Sequence, residues 1–439
     1  MLNTTSWVKN LKTPIAVIGL GKSGLAAVSF LKLAGYQDAD IITYDDKKAS
    51  PLGYKHVTQP TDLTNLFPRT LVVSPGVSLN TNWIQQIAAT GARVTSELTL
   101  ATSVLTTEKL IGVTGSVGKS TVTSLIGASA LTDDPNAFVG GNLGTPFCQY
   151  AIDILNGRTQ AHWIILELSS YQLENCAHLE FEFSAITFLS ANHLERYASL
   201  EEYYRTKLQI THATKQICFI NKTSEDAVQF AKLAKCAYQE VSAETFEDKE
   251  LLKSVLLIGA HNKDNFAIAA ELAKAAGFSA ESLTAMAQFK GLLHRLEFVN
   301  TIKGVKYIND SKATSMDSVE VAAQGCLESL TNSAKLYLLL GGKDKTLPWE
   351  QLAHLAVPQI IPLFFGACGQ LAKNKSQLSG PYFSKLIEAL EHAYQSAQAG
   401  DVVLLSPGGT SLDEFKNFED RGEFFKKFVT QKSAQRSLD

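Results

Sequence analysis

The chain has 439 residues, 45% hydrophobic and 19% charged, which suits about three domains with cores of their own. A formal charge of −3 leaves no basic excess for general nucleic-acid binding. Apolar runs such as Leu336–Leu340 and Val255–Ile258 are far short of the about 20 residues that a bilayer span needs. Six cysteines (148, 176, 218, 236, 326 and 368) show no CxxC pairing and read as small apolar side chains in a reducing compartment. Lys9 and Lys12 lead directly into a strand and a glycine loop, unlike a secretory signal. A cytoplasmic protein is expected.

The first block opens with IAVIGLGKSG, Ile15–Gly24, a strand running into GxGxxG and then an apolar helix pattern through Leu25, Val28, Phe30 and Leu31. A second strand, Ile41–Tyr44, ends at Asp45, about 20 residues beyond the glycines, the spacing of a dinucleotide fingerprint. Those glycines serve any diphosphate that must approach a backbone, so a nucleotide diphosphate is favoured over a redox cofactor, with a purely structural tight turn as the remaining alternative. A third strand, Leu71–Val73, ends in Ser74-Pro75-Gly76.

The second block carries the most informative stretch, IGVTGSVGKST, Ile111–Thr121. An apolar strand breaks into a turn with Gly115 and Gly118, and Lys119, Ser120 and Thr121 open a helix. Glycines let backbone N–H groups curl around phosphate oxygens, the helix N-terminus adds positive potential, and Lys119 reaches the outer phosphates. Ser120 suits Mg²⁺. The full phosphate-loop pattern wants a further glycine where Val113 stands, so this is a shortened version, GxxGKST. A glycine turn follows at Gly140–Gly144, and the apolar strand Trp163–Leu166 ends at Glu167, a carboxylate placed for the same Mg²⁺. His193 follows another strand-like run, Ala185–Leu189. Lys207 lies in a helix that Ser199 and Glu202 begin as a capping box, on one face with Tyr203 and Tyr204. It is either a cation laid over aromatics or a desolvated amine able to capture CO₂ as a carbamate.

The third block has strands at Val305–Ile308, Leu336–Leu340, Ile360–Phe365 and Val402–Leu405. Polar loops follow them: NDSKATS (Asn309–Ser315), GGKDK (Gly341–Lys345) and SPGGTSLDEFKNFEDRG (Ser406–Gly422). Small, hydroxyl and basic groups at strand ends suit a small anionic substrate. Strands alternating with helices predict an α/β protein with parallel sheets: an N-terminal Rossmann-like domain over residues 1–100, a central P-loop ATPase-type domain over 101–297 and a C-terminal Rossmann-like domain over 298–439.

Together these stretches resemble the Mur ligase family. TGxxGK[ST] matches at Thr114–Ser120, GGN at Gly140–Asn142, ELSSxQL at Glu167–Leu173, HNxxN at His261–Asn265, GLxHR at Gly291–Arg295 and NDSKAT at Asn309–Thr314. NDSKAT and the SLDxFKNFExRG tail are similar to the D-glutamate-adding branch. The resemblance implies an ATP-dependent amide-bond ligase of peptidoglycan precursor synthesis that extends UDP-N-acetylmuramoyl-L-alanine through an acyl phosphate, and it replaces the redox reading of GxGxxG. It implies ATP at Gly115, Ser116, Val117, Gly118, Lys119, Ser120, Thr121, Asn265, Arg295 and Asp310. The UDP-substrate falls to Lys22, Ser23, Asp45, Ser74, Pro75, Gly76, Asn142 and Ser169, and D-glutamate to Thr314, Lys345, Ser411, Leu412 and Phe418. Two Mg²⁺ sites are implied, one at Ser120 and Glu167, the other at His193 and carbamylated Lys207. Lys119, His193, Lys207 and Arg295 are the implied catalytic set, and small molecules are the only expected partners of a monomer.

Three positions depart from the family pattern. Val117 replaces the common Asn of GSNGKST, removing a side-chain amide but no backbone donor. Asn192 stands before His193 where Asp is usual, which lowers the negative charge there. Gly408 and Gly409 are expected to loosen the tail loop. A folylpolyglutamate synthetase would share the central chemistry but leaves the first block unexplained. A guanine-reading switch lacks its NKxD, since Asn221-Lys222-Thr223-Ser224 and Asn262-Lys263-Asp264-Asn265 both miss the final Asp.

Overall fold

A computed structural model describes residues 7–49, 53–176, 178–190, 196–331 and 333–435. Apolar runs such as IAVI, WIILE and LYLLLG are buried along their whole length, the signature of parallel strands covered by helices on both faces. Among the described residues these strands build three sheets.

The first sheet has the order β3-β2-β1-β4-β5, all parallel, from β1 (Ile15–Ile18), β2 (Ile41–Tyr44), β3 (Lys55–Val57), β4 (Thr70–Val73) and β5 (Arg93–Thr95). The order reverses direction beside β1, so the loops after β1 and β4 face one crevice at the strands' C-terminal ends.

The second sheet, also parallel, runs β11-β10-β9-β6-β8-β7. It is made of β6 (Lys109–Thr114), β7 (Phe138–Gly141), β8 (Trp163–Glu167), β9 (Phe181–Ile186), β10 (Thr214–Asn221) and β11 (Ala237–Val241). Central β6 therefore lies between β8 and β9, which brings Gly115, Glu167 and Thr187 to one edge.

The third sheet runs β12-β13-β17-β14-β15-β16. Its strands are β12 (Glu297–Ile302), β13 (Val305–Asn309), β14 (Leu336–Gly341), β15 (Ile360–Phe365), β16 (Tyr382–Phe383) and β17 (Val402–Gly408). Only the β12–β13 pair is antiparallel, an edge hairpin through Lys303-Gly304. The half-polar EFVNTI of β12 is an addition to the strands expected from sequence, and β17 extends three residues beyond Leu405.

The chain divides into two compact units, one of residues 1–247 and 264–286, the other of 248–263 and 287–439. The first holds both N-terminal sheets. One core joins them, with Phe30 and Leu31 of the helix Lys22–Leu33 packed in the same cluster as Leu98, Phe147 and Tyr150. Within it Glu97 is buried and its carboxylate accepts the N–H of Cys148 at 2.7 Å, capping the helix Phe147–Leu155. The second unit holds the third sheet, with apolar clusters on each face.

Candidate active site

In the first unit, β6 ends at Thr114 and the chain turns through Gly115 (φ 141°) and Gly118 (φ 93°) into the helix Lys119–Asp133. Both glycines are demanded by contact as well as by torsion. A Cβ on Gly115 would strike the hydroxyl of Thr187, and one on Gly118 the amide of Asn265. That close approach puts Asn265, buried in the helix Ala260–Ala276, against the loop it was expected to serve. The N–H groups of Ser116 and Val117 donate to the carbonyl of Phe188 at 2.9 and 3.1 Å. With those two amides spent, the part of the loop able to face an anion is the helix start, around Lys119, Ser120 and Thr121. Lys119 Nζ donates to the carbonyls of Gly115 and Ser116 at 2.8 and 2.9 Å.

Lys207 is 2% exposed and its Nζ donates to the same Gly115 carbonyl at 2.8 Å, over the Tyr203 ring at 4.6 Å. Burial, reinforced by the charge of Lys119 and only partly countered by Glu167, pulls its pKa down to about 6. The helix that carries it, Leu200–Leu208, starts with the Ser199 hydroxyl accepting the N–H of Glu202. Glu202 reaches back to the N–H of Ala198 rather than that of Ser199. The local signal thus places Lys207 on the inner face.

Glu167 ends β8, buried, with one oxygen accepting from the Asn142 side chain at 2.6 Å and the other, Oε2, without a partner. An orphaned carboxylate oxygen near a phosphate loop fits a hard divalent cation, which magnesium satisfies with one or two carboxylates, waters and phosphates. No group of three or more His, Cys, Asp or Glu able to hold a metal occurs among the described residues. His193 and Asn192 lie outside them. Asn142 also donates its N–H to the Glu167 carbonyl, and Ser169 caps the short helix Ser170–Leu173 by a reciprocal pair with Gln172. Asn142, Glu167 and Ser169 thus lie at the neighbouring ends of β7 and β8.

At the first sheet, Lys22 and Ser23 begin the helix Lys22–Leu33 and Ser74 follows β4. The Ser74 hydroxyl donates to the Gly19 carbonyl at 2.7 Å, tying the two loops of the crevice together. Asp45 accepts the N–H groups of Leu20, Lys47 and Lys48 at 2.7, 2.9 and 2.8 Å. Burial opposes its charge, but these three donors win and hold the carboxyl below its usual range. Its side chain therefore shapes the glycine loop. Gly76 is exposed and faces open space.

The second unit gathers its expected residues at the C-terminal ends of β13, β14 and β17. Gly408 N–H bonds Ala313, Gly409 N–H bonds Gly341, and Lys343 and Thr410 exchange backbone bonds. Asp310 is buried, accepting from Ser406 Oγ at 2.8 Å and from the N–H of Leu296 at 3.1 Å. Burial raises its carboxyl to about 7 despite those donors and nearby Arg295. Thr314 is half-buried, Ser411 buried, and Arg295, Lys345 and Leu412 exposed. Phe418 stands edge-on to His294 at 6.1 Å, with Lys312 5.6 Å from its ring. The expected loosening at Gly408 and Gly409 is not found. Both are buried, Gly408 closes β17, and the fully buried Arg421 donates to the Gly409 carbonyl through two nitrogens at 3.2 Å each and to the Ser311 carbonyl at 2.9 Å. Thr187 lies outside every motif quoted above, and Arg421 is the arginine of the SLDxFKNFExRG tail, with no role assigned to it by the motif. A hydroxyl directly after β9, beside the phosphate-loop strand, was the available signal for Thr187.

A parallel sheet whose central strand ends in a phosphate loop, with a carboxylate on the adjacent strand end, defines a P-loop nucleotide-triphosphate protein. Comparison with known proteins narrows the class. Three family models match in order: Mur ligase MurD-like, N-terminal domain (residues 13–96), Mur ligase middle domain (113–273) and Mur ligase, glutamate ligase domain (294–409). A UDP-N-acetylmuramoylalanine–D-glutamate ligase of Haemophilus influenzae (strain 86-028NP) is 36% identical, covering 94% of this chain and 96% of its own. One so named from Koribacter versatilis is 34% identical over 96% and 98%. In fold, the chain is similar to the MurF ligase of Thermotoga maritima solved in complex with ADP (TM-score 0.56, 15% identity, 98% and 97% covered). The chain belongs to the Mur ligase family, ATP-dependent enzymes that form amide bonds.

Proposed function

We propose that this protein uses ATP to join D-glutamate to the L-alanine carboxyl of UDP-N-acetylmuramoyl-L-alanine, in the cytoplasm and as a monomer. The observation that carries the chemistry is the phosphate loop beside a buried carboxylate with an open oxygen. The full-length likeness to ligases bearing that substrate's name supports the specificity. No helix among the described residues is long and apolar enough to cross a membrane.

In this reading Gly115–Thr121, Asn265, Arg295 and Asp310 hold ATP. Lys22, Ser23, Asp45, Ser74–Gly76, Asn142 and Ser169 hold or shape the site for the UDP-substrate. Thr314, Lys345, Ser411, Leu412 and Phe418 position D-glutamate. Ser120 and Glu167 would hold one magnesium ion, and His193 with Lys207 a second; bound there, the ions neutralise charge on the phosphates. A neutral Lys207 amine adds to CO₂ and loses a proton to solvent, giving a carbamate in place of a cation. The alanine carboxylate attacks the γ-phosphorus, and the bond to ADP breaks. Lys119 and Arg295 offset charge on the transferring group, and His193 orients the carboxylate. The amine of D-glutamate then attacks the acyl carbon, phosphate leaves, and the nitrogen gives up its proton.

The test is ADP release with magnesium, ATP and UDP-N-acetylmuramoyl-L-alanine against a panel of amino acids. Release should require D-glutamate; release driven equally by L-alanine or a diamino acid overturns the specificity. Lys119→Ala should abolish ADP release while leaving UDP-substrate affinity within about twofold, because binding and phosphoryl transfer use different loops. Near-normal turnover would remove ATP chemistry from the loop.

A further inference from the structure

Arg196 belongs to no motif discussed above, yet it makes some of the most specific contacts of the first unit. Its side chain is 10% exposed. Nη1 donates to the Pro75 carbonyl at 2.8 Å and Nη2 to the Val77 carbonyl at 3.4 Å, so the guanidinium grips the loop after β4. Nη2 also pairs with Glu174 at 2.6 Å, and the guanidinium carbon stacks 3.9 Å from the centre of the Tyr171 ring. Glu174 is fixed in turn by the Tyr197 hydroxyl at 2.6 Å. Arg196, Tyr171, Asn175, Ser74, Pro75 and Glu97 are among the residues lining a small cavity with room for about one water. Arg196 Nε is buried without a protein partner.

We propose that Arg196 is a positioning residue for the diphosphate-bearing substrate. A loop that receives an anion at the C-terminal edge of a sheet must turn its N–H groups toward the ligand and its carbonyls away. Arg196 takes up the carbonyls of Pro75 and Val77, while Ser74 N–H is bonded to Ile18 and Pro75 has none, so Gly76, with open space beside it, carries the turn's remaining donor. Direct binding of a phosphate is a different role, and the geometry argues against it here. Glu174 neutralises the guanidinium, and two of its nitrogens are already committed to loop carbonyls. Specificity for the planar fork follows: an ammonium cannot serve two carbonyls and stack on Tyr171. The proposal rests on the reading of Ser74–Gly76 as part of the UDP-substrate site.

Titration of the full-length protein with UDP-N-acetylmuramoyl-L-alanine, without ATP, tests it directly. Arg196→Met should weaken that binding about tenfold, the effect of losing one charge-assisted hydrogen bond that orders the loop, and raise the KM for this substrate alike. The kcat and the KM for ATP should stay within about threefold. Arg196→Lys should retain most of the defect. Glu174→Gln, which loosens the guanidinium without removing it, should give a smaller change in the same parameter and decides the matter if Arg196→Met melts early. Unchanged affinity in folded variants overturns the positioning role, as does full rescue by lysine or a loss confined to kcat. A wild-type titration that is flat overturns the substrate reading and the clamp together, whereas normal wild-type binding with unaltered variants overturns the clamp alone.

Discussion

Lys207→Met should stabilise the protein while destroying its activity. In the fold Lys207 is held near a pKa of about 6, against 10.5 for a free lysine. The folded value lies below the unfolded one, so between pH 6 and 10.5 the native state binds fewer protons and wild-type stability rises with pH. At pH 7 the unfavourable term is about 5 kcal/mol, and it diminishes by about 1.4 kcal/mol for each further pH unit. Below pH 6 both states are charged and the burial penalty is complete. Methionine removes the term and fills a similar volume, at the loss of a hydrogen bond to Gly115 worth about 1 kcal/mol. Urea unfolding in CO₂-free buffer should therefore find the variant more stable at pH 6.5, with its advantage smaller by about 3 kcal/mol at pH 8.5. Catalysis should be lost, and short carboxylates should partly restore it in Lys207→Ala, where they have room. A stability gap that does not narrow with pH would refute the reasoning. Lys207 would then be an ordinary cation resting on Tyr203.

Glu97 gives the opposite slope. Burial raises its carboxyl from 4.5 to about 7, so the native state binds more protons in that window and stability falls as pH rises through it. Glu97→Gln should flatten this dependence and gain on the order of 3 kcal/mol at pH 8, read by thermal or urea unfolding; a variant less stable at pH 8 contradicts it. Asn142→Ala frees Glu167 from its 2.6 Å hydrogen bond, and should raise the magnesium concentration for half-maximal activity about 10- to 100-fold, with an unchanged requirement pointing to a ligand set without Glu167.

Much of this molecule is legible in its sequence because parallel strands leave strong local marks. Trp163–Leu166 and Ile360–Phe365 are apolar throughout, and the residues after them are polar or glycine-bearing. Ser199 announces the helix that delivers Lys207. What stays hidden depends on neighbours distant in sequence. EFVNTI looks unlike a buried strand because β12 is an edge, paired on one side only. Gly408 and Gly409 look loose until Arg421, from the following helix, is seen holding the Gly409 carbonyl. Asp45 stands at the spacing of a dinucleotide fingerprint, yet its oxygens accept backbone amides of its own loop and of Leu20. Arg196 escapes notice since nothing periodic marks a residue whose partners, Pro75 and Val77, lie more than 110 positions away.

The shortened phosphate loop follows the same logic. The glycine of the longer pattern is replaced by Val113, which is buried in β6 and paired with Glu167 and Ala185 on its two sides. The strand continues one residue further, and the loop is then shaped by the end of β9. The carbonyl of Phe188 collects the N–H groups of Ser116 and Val117, and the Thr187 hydroxyl donates to the Val117 carbonyl at 2.6 Å. Support from a neighbouring strand replaces the freedom a glycine would have given, and leaves the helix start as the place suited to an anion. It also explains how valine is accepted where the family usually has asparagine. The Val117 side chain is 56% exposed, while its N–H and C=O carry the contacts that hold the loop, so exchanging the side chain leaves them intact.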